Sequence, residues 1–269
     1  MFNHAFYGLS GNPFSKQTLK VKDSYISKDH KEMLSRLSFL KEVNGVGVFT
    51  ASPGMGKSFA LRCFEQSLNA NLHKMHYICL STISVADFYK QLCEQLGLDT
   101  KGGKTAMFKS LQERIYYLFK EKRSPLILAI DEAQYLSVGI LKDLKMLMNY
   151  QYDSLNCFTL ILTGEPHLNN TLEKPINEAL KQRINVHYNF KGLNPDETEE
   201  YIAHKISVAG GTKNIIAQEA FQTITGFCQG NPRIIDNLLT NALMLGAQLE
   251  KQTIDSEVIM AAANAQTLG

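Results

Sequence analysis

The run Leu126-Ile127-Leu128-Ala129-Ile130 is apolar at every position, and a strand with no polar face must be covered on both sides. It therefore predicts a central strand of a parallel sheet with helices on its two faces. Phe158-Thr159-Leu160-Ile161-Leu162-Thr163 and the shorter Val46-Gly47-Val48-Phe49-Thr50 read as companion strands, and a further one is expected over 74–80. Between them the apolar spacing turns helical. Met33, Leu34, Leu37 and Leu40 mark a helix over 28–43 that stops at Asn44-Gly45. Further helices are expected over 58–69, over 85–96, and from the end of a Gly/Lys/Thr loop at 99–105 to residue 120. Strands alternating with helices wind into a parallel sheet through right-handed crossovers, and ligands then sit at the carboxyl ends of the strands.

After Tyr188-Asn189-Phe190 the strand signals end, and helices are expected over 195–209, 218–228 and 233–248 and from 255 onward. The expected organisation is thus an N-terminal arm and helix of the core over 1–44, an α/β core over 45–191 and a small helical domain over 192–269. A length of 269 residues suits one large core with a small companion. In the arm, Tyr7-Gly8-Leu9-Ser10-Gly11-Asn12-Pro13-Phe14 mixes turn formers with aromatics, which suits either a folded-back segment packed on another element or a surface arm.

Composition removes several classes. A hydrophobic content of 44% with 20% charged residues excludes disorder as the default. The net charge of +2 leaves any nucleic-acid contact to a local patch. Cys63, Cys79, Cys93, Cys157 and Cys228 form no C-x-x-C pair, so no zinc or redox motif is suggested. Their odd number fits a reducing compartment. The first ten residues lack a signal-peptide pattern, and no segment reaches the roughly 18 apolar residues of a membrane span. The expectation is a cytoplasmic chain without a membrane segment.

The strand over 46–50 runs straight into Ala51-Ser52-Pro53-Gly54-Met55-Gly56-Lys57-Ser58, and a helix follows. Backbone N–H groups of such a loop, with the start of the helix, cradle phosphates; a lysine neutralises the outer ones and a hydroxyl holds Mg²⁺. Gly54, Gly56, Lys57 and Ser58 suit those roles, with Ser52, Pro53, Met55 and Phe59 lining the same loop. The full pattern asks for glycine where Ala51 stands, so the turn must accept a Cβ there. The strand over 126–130 delivers Asp131 and Glu132 at its end. Asp131 is expected to steady the metal through water, and Glu132 to orient and deprotonate the attacking water. Thr163 ends the next strand, either facing the γ-phosphate or simply turning the chain with Gly164 and Pro166. Arg183 suits a charge offered in trans to a neighbour's phosphate, since a planar guanidinium matches spread charge.

Together with Tyr7-Gly8-Leu9, Asn12-Pro13-Phe14, Asp131-Glu132-Ala133-Gln134-Tyr135-Leu136, Thr163-Gly164-Glu165-Pro166, Gln182-Arg183-Ile184 and Gly230-Asn231-Pro232-Arg233, the sequence resembles the ExeA-like branch of AAA+ ATPases. That branch also takes in transposition ATPases of the TniB, TnsC and MuB type. The resemblance covers nearly the whole chain. It implies an AAA+ P-loop NTPase with a parallel sheet core and a small C-terminal helical lid, a Mg²⁺-dependent ATPase that oligomerises with ATP between subunits. It also implies Thr163 as sensor 1, Arg183 as arginine finger and Arg233 as sensor 2, and it leaves the hydrolysis rate open at Ala51.

Two functions compete under the resemblance. Secretion-type ExeA proteins carry a membrane span and a cell-wall-binding domain after the ATPase, and this sequence shows neither before Gly269. Chains of this size resemble helper ATPases of transposition, which form ATP-dependent rings or filaments on duplex DNA, recruit or activate a DDE transposase, and in some cases answer to a target-selector protein. The transposition reading is the one expected here. Lys90, Lys101, Lys104 and Thr105 are the candidate phosphate contacts, which need carry no base readout; the same residues equally suit a solvated flexible loop. A clamp-loader or replication-initiator role is the third reading, and no winged-helix tail supports it.

Overall fold

The computed structural model describes residues 4–15, 21–79 and 82–265. Two compact units make up the chain: residues 32–190 form one, and residues 1–31 with 191–269 form the other.

The larger unit is built on five parallel strands: β1 (Val46–Thr50), β2 (Met75–Ile78), β3 (Leu126–Ile130), β4 (Phe158–Gly164) and β5 (Ile184–Asn189). Their order across the sheet is β2-β3-β4-β1-β5. The three inner strands are buried along their whole length, as their largely apolar runs require. Successive side chains of a strand point to opposite faces, and the core divides accordingly. Leu126, Leu128 and Ile130 pack with α3 (Val85–Gln95), α4 (Lys104–Lys120) and α5 (Val138–Leu147). Ile127 and Ala129 face the other way, among residues of α1 (Lys28–Val43) and α2 (Lys57–Ser67) such as Leu37, Leu40, Leu61 and Phe64. Short helices α6 (His167–Leu172) and α7 (Glu178–Lys181) link β4 to β5. The carboxyl ends of β1, β3 and β4 therefore lie side by side, paired in register from Val48↔Leu162 and Ile130↔Leu162.

Most expected boundaries agree with these elements to within a few residues. The second strand is shorter than expected, and Leu80, where it was expected to end, lies outside the described residues.

The smaller unit contains α8 (Pro195–Val208), α9 (Ala220–Cys228), α10 (Pro232–Gln248) and α11 (Ser256–Asn264). Here the expected organisation needs correcting: residues 1–31 belong with these helices rather than with the α/β core. Tyr7, Leu9 and Phe14 of the arm are buried with Leu238, Leu239 and Leu243 of α10. The Asn12 side chain accepts the Phe14 N–H and donates to Thr240 Oγ1, and Ser10 donates to the Ala209 carbonyl. Lys205 Nζ, itself in an ion pair of 2.8 Å with Asp236, lies over the Phe14 ring. Asp29 then accepts the N–H groups of Lys191 and Gly192. The turn formers of the arm are thus what let its aromatics fold back, and the surface-arm alternative is excluded.

Asn231 caps α10 through the N–H groups of Arg233 and Ile234, while Gly230 sits at φ +71°, where an added Cβ would stand 2.1 Å from the Leu193 carbonyl oxygen. Gly230→Ala is expected to cost about 3 kcal/mol, combining left-handed strain with a backbone clash. Gly226 in α9 has open space around it, and Gly226→Ala is expected to be neutral or to stabilise by up to about 1 kcal/mol. Urea titrations of the two variants read both effects.

Candidate active site

At the end of β1 the chain enters the glycine loop. Gly54 and Gly56 adopt φ of 90° and 95°, conformations that L side chains rarely take. Ala51 lies outside the left-handed region and its N–H continues the sheet pairing to the Gly164 carbonyl at 3.1 Å. Its Cβ therefore carries no backbone strain, and the missing glycine is no defect in the loop. The turn opens α2 at Gly56 without a side-chain cap, and a helix start is where backbone N–H groups can meet an anion. Lys57 Nζ donates to the Ala51 carbonyl at 2.7 Å, which holds the ammonium over the loop.

Beneath the loop lies Asp131, 3% exposed. Its Oδ2 accepts hydrogen bonds from Ser58 Oγ at 2.6 Å and Tyr77 Oη at 2.8 Å. Its Oδ1 accepts from Thr163 Oγ1 at 2.7 Å and from the Glu132 N–H at 3.0 Å. Burial pushes this carboxyl upward, but the bonds from Ser58, Thr163, Tyr77 and the Glu132 amide outweigh it and hold the group below the usual carboxylate range. Desolvation of the Tyr77 hydroxyl, reinforced by the bond to Asp131 and that carboxylate's charge, raises this phenol well above its ordinary value although the ring is partly exposed. Glu132 stands at φ 52°, left-handed for a residue with a side chain. Its carboxylate accepts from Gln134 Nε2 at 2.6 Å.

The donor set suits a hard divalent cation of the Mg²⁺ type. Ser58 and Asp131 present adjacent oxygens, and among the described residues no group of three or more His, Cys, Asp or Glu forms a dedicated cage. Mg²⁺ takes few protein oxygens and completes its shell with water and phosphate.

Residues 41–172 match the family model described as AAA domain. Over that stretch, just under half of its length, the chain is similar to AAA domains. General secretion pathway protein A of Aeromonas hydrophila is 30% identical over 243 residues, which are 89% of this chain and 44% of that protein. The chain thus spans less than half the length of the curated relative it matches. Among solved structures, Cdc6p from Pyrobaculum aerophilum aligns with a TM-score of 0.69 at 16% identity, over 96% of this chain and 71% of that one. Drosophila ORC bound to DNA gives 0.68 at 13%, over 93% and 63%, and the RuvB Holliday junction branch migration motor of Thermotoga maritima gives 0.60 at 18%, over 91% and 71%. At such identities the likeness shows the fold, which is that of the AAA+ P-loop NTPases.

Arg183 follows α7, is largely buried, and pairs with Asp153 of its own chain. Asp153 belongs to three successive left-handed residues, Gln151, Tyr152 and Asp153. Arg233 is exposed on the first turn of α10. Of the expected DNA contacts, Lys101 and Thr105 are exposed, and Lys90 is exposed beside Asp87 at 3.4 Å. Lys104 differs from its expected place in the loop. It begins α4 instead of lying in the loop, binds both oxygens of buried Asp143 at 2.7 and 2.8 Å, and lies over the Tyr89 ring. Its half-exposed ammonium is paired with that carboxylate.

Two residues at the site escaped the sequence reading. Tyr77 was hidden in a short strand, its only signal a polar-tipped ring near the strand's carboxyl end. Gln134 stood inside a quoted motif without a role.

A depressed folded value means that Asp131 contributes stability fully above its unfolded pKa of about 3.9, lost as pH falls through the lower folded value. Asp131→Asn is expected to lower the unfolding free energy by about 2 kcal/mol at pH 7, the gap closing below about pH 4. Urea titrations from pH 7 to pH 3 test this, and a gap independent of pH would contradict it.

Proposed function

We propose that this AAA+ chain binds ATP with Mg²⁺ at the 51–58 loop, hydrolyses it, and uses the cycle to assemble on duplex DNA as a transposition helper that recruits or activates a DDE transposase. The observation that carries the nucleotide reading is the Ser58–Asp131 pair beneath the uncapped start of α2. In this reading the N–H groups around Gly54 and Gly56 grip the phosphates. Lys57 leaves the Ala51 carbonyl for the outer phosphates, and Phe59 and Ser52 border the loop. Bound there, Mg²⁺ would supply charge neutralisation to the phosphates. Ser58 and Asp131 would hold the ion, Thr163 fixes Asp131, and Glu132 accepts a proton from the attacking water.

Arg183 acts in trans in this proposal, which requires it to exchange Asp153 for a neighbour's phosphate in a ring or filament. Arg233 reports nucleotide state to the helical unit. The DNA reading draws support from the motif set and from the shared fold with DNA-bound ORC. Lys101, Lys90 and Thr105 are its proposed phosphate contacts. The 30% identity to General secretion pathway protein A favours the second reading, an ATPase of secretion or envelope assembly.

Lys57→Ala is expected to weaken nucleotide binding at least about tenfold by removing a charged phosphate contact, and Glu132→Gln to keep binding while losing about 100-fold or more in kcat. Calorimetry and phosphate release read the two. For the DNA role, ATP-dependent and sequence-tolerant duplex binding is expected, falling steeply between 50 and 200 mM salt. Lys101→Glu is expected to weaken it. Absence of duplex binding at 50 mM salt with ATP, in a chain that hydrolyses ATP, would favour the secretion reading.

A further inference from the structure

We infer that Gln134 is a positioning residue that ties Glu132 to the end of β4, so that one strand end sets the geometry of both acids. The inference rests on the proposed role of Glu132 as base. Gln134 is buried in the short turn Ala133–Tyr135 that follows β3. Its Nε2 donates to Glu132 Oε2 at 2.6 Å, and its Oε1 accepts the Glu165 N–H at 3.1 Å. The two partners determine the amide orientation, because the flipped form would set oxygen against carboxylate and N–H against N–H.

Gly164 is what admits this amide. A Cβ there would lie 2.6 Å from Gln134 Oε1 and 3.1 Å from Leu168 Cδ2. One residue earlier, Thr163 donates to Asp131 Oδ1. The sequence Thr163-Gly164-Glu165 therefore holds Asp131 directly and Glu132 through Gln134. A base needs a third group to aim it, and Gln134 holds one carboxylate oxygen of Glu132. The left-handed backbone at Glu132 adds a reason for such a tether, since a strained residue keeps its direction only where its surroundings impose it.

The test uses the full chain with Gln134→Leu, Gly164→Ala and the control Glu132→Gln. Gln134→Leu removes both hydrogen bonds, and Gly164→Ala displaces the amide while leaving Gln134 in place. Both are expected to lower kcat about 10- to 100-fold, with KM and the affinity for a non-hydrolysed ATP analogue within about threefold of wild type. A second readout needs no turnover. The Gln134 side-chain amide resonance, identified by its loss in Gln134→Leu, is expected to shift in Gly164→Ala and in Glu132→Gln. An unshifted resonance, unchanged or raised kcat in either folded variant, or equal losses in kcat and nucleotide affinity would overturn the inference. If Glu132→Gln alone abolishes turnover, only the role of Gln134 fails; if Glu132→Gln stays active, the reading of Glu132 as base fails first.

Discussion

A buried carboxylate organises the candidate site. Asp131 is withdrawn from water, and an ionised group there is tolerable only when its oxygens are hydrogen-bonded. Four donors do this: a hydroxyl from the start of α2, a phenol from β2, a hydroxyl from β4 and the following amide. They converge because the sheet order places β3 between β2 and β4, with the loop after β1 above them. The charge is therefore kept by the topology. The same arrangement sets a hydroxyl and a carboxylate beside the start of α2, a setting whose hard oxygens and helix-start N–H groups suit a metal-bound phosphate.

The helical unit solves a similar problem by similar means. Lys205 and Asp236 are both largely buried and paired, with Tyr201 donating to Asp236 and aromatic rings around the ammonium. Breaking such a pair leaves an uncompensated buried charge, so the pair locks the Phe14 end of the arm to α8 and α10. The arm is then part of the unit's core, and the helical unit is assembled from both ends of the sequence.

Much of this was legible from residue order. Largely apolar runs identified β1, β3 and β4, because inner strands of a parallel sheet are covered on both faces. The glycine loop and Asp131-Glu132 were legible because their chemistry demands particular residue types at strand ends. Less legible were the groups whose roles depend on partners distant in sequence. Lys104 reads as a free loop cation until Asp143, on α5, is seen to bind it. Arg183 reads as an open guanidinium until Asp153 is seen beside it. Tyr77 and Gln134 are ordinary residues by pattern, and only their aim toward Asp131 and Glu132 distinguishes them.

By itself the sequence determined the class of fold and the inventory of phosphate- and metal-directed groups, since periodicity and loop chemistry are local properties of a chain. Tertiary structure decided which unit the arm joins, which cations are already neutralised and which side chains aim the two acids. Those outcomes depend on burial and on distances between strands, and a side chain's partner across a sheet leaves no mark on the residues beside it in the chain.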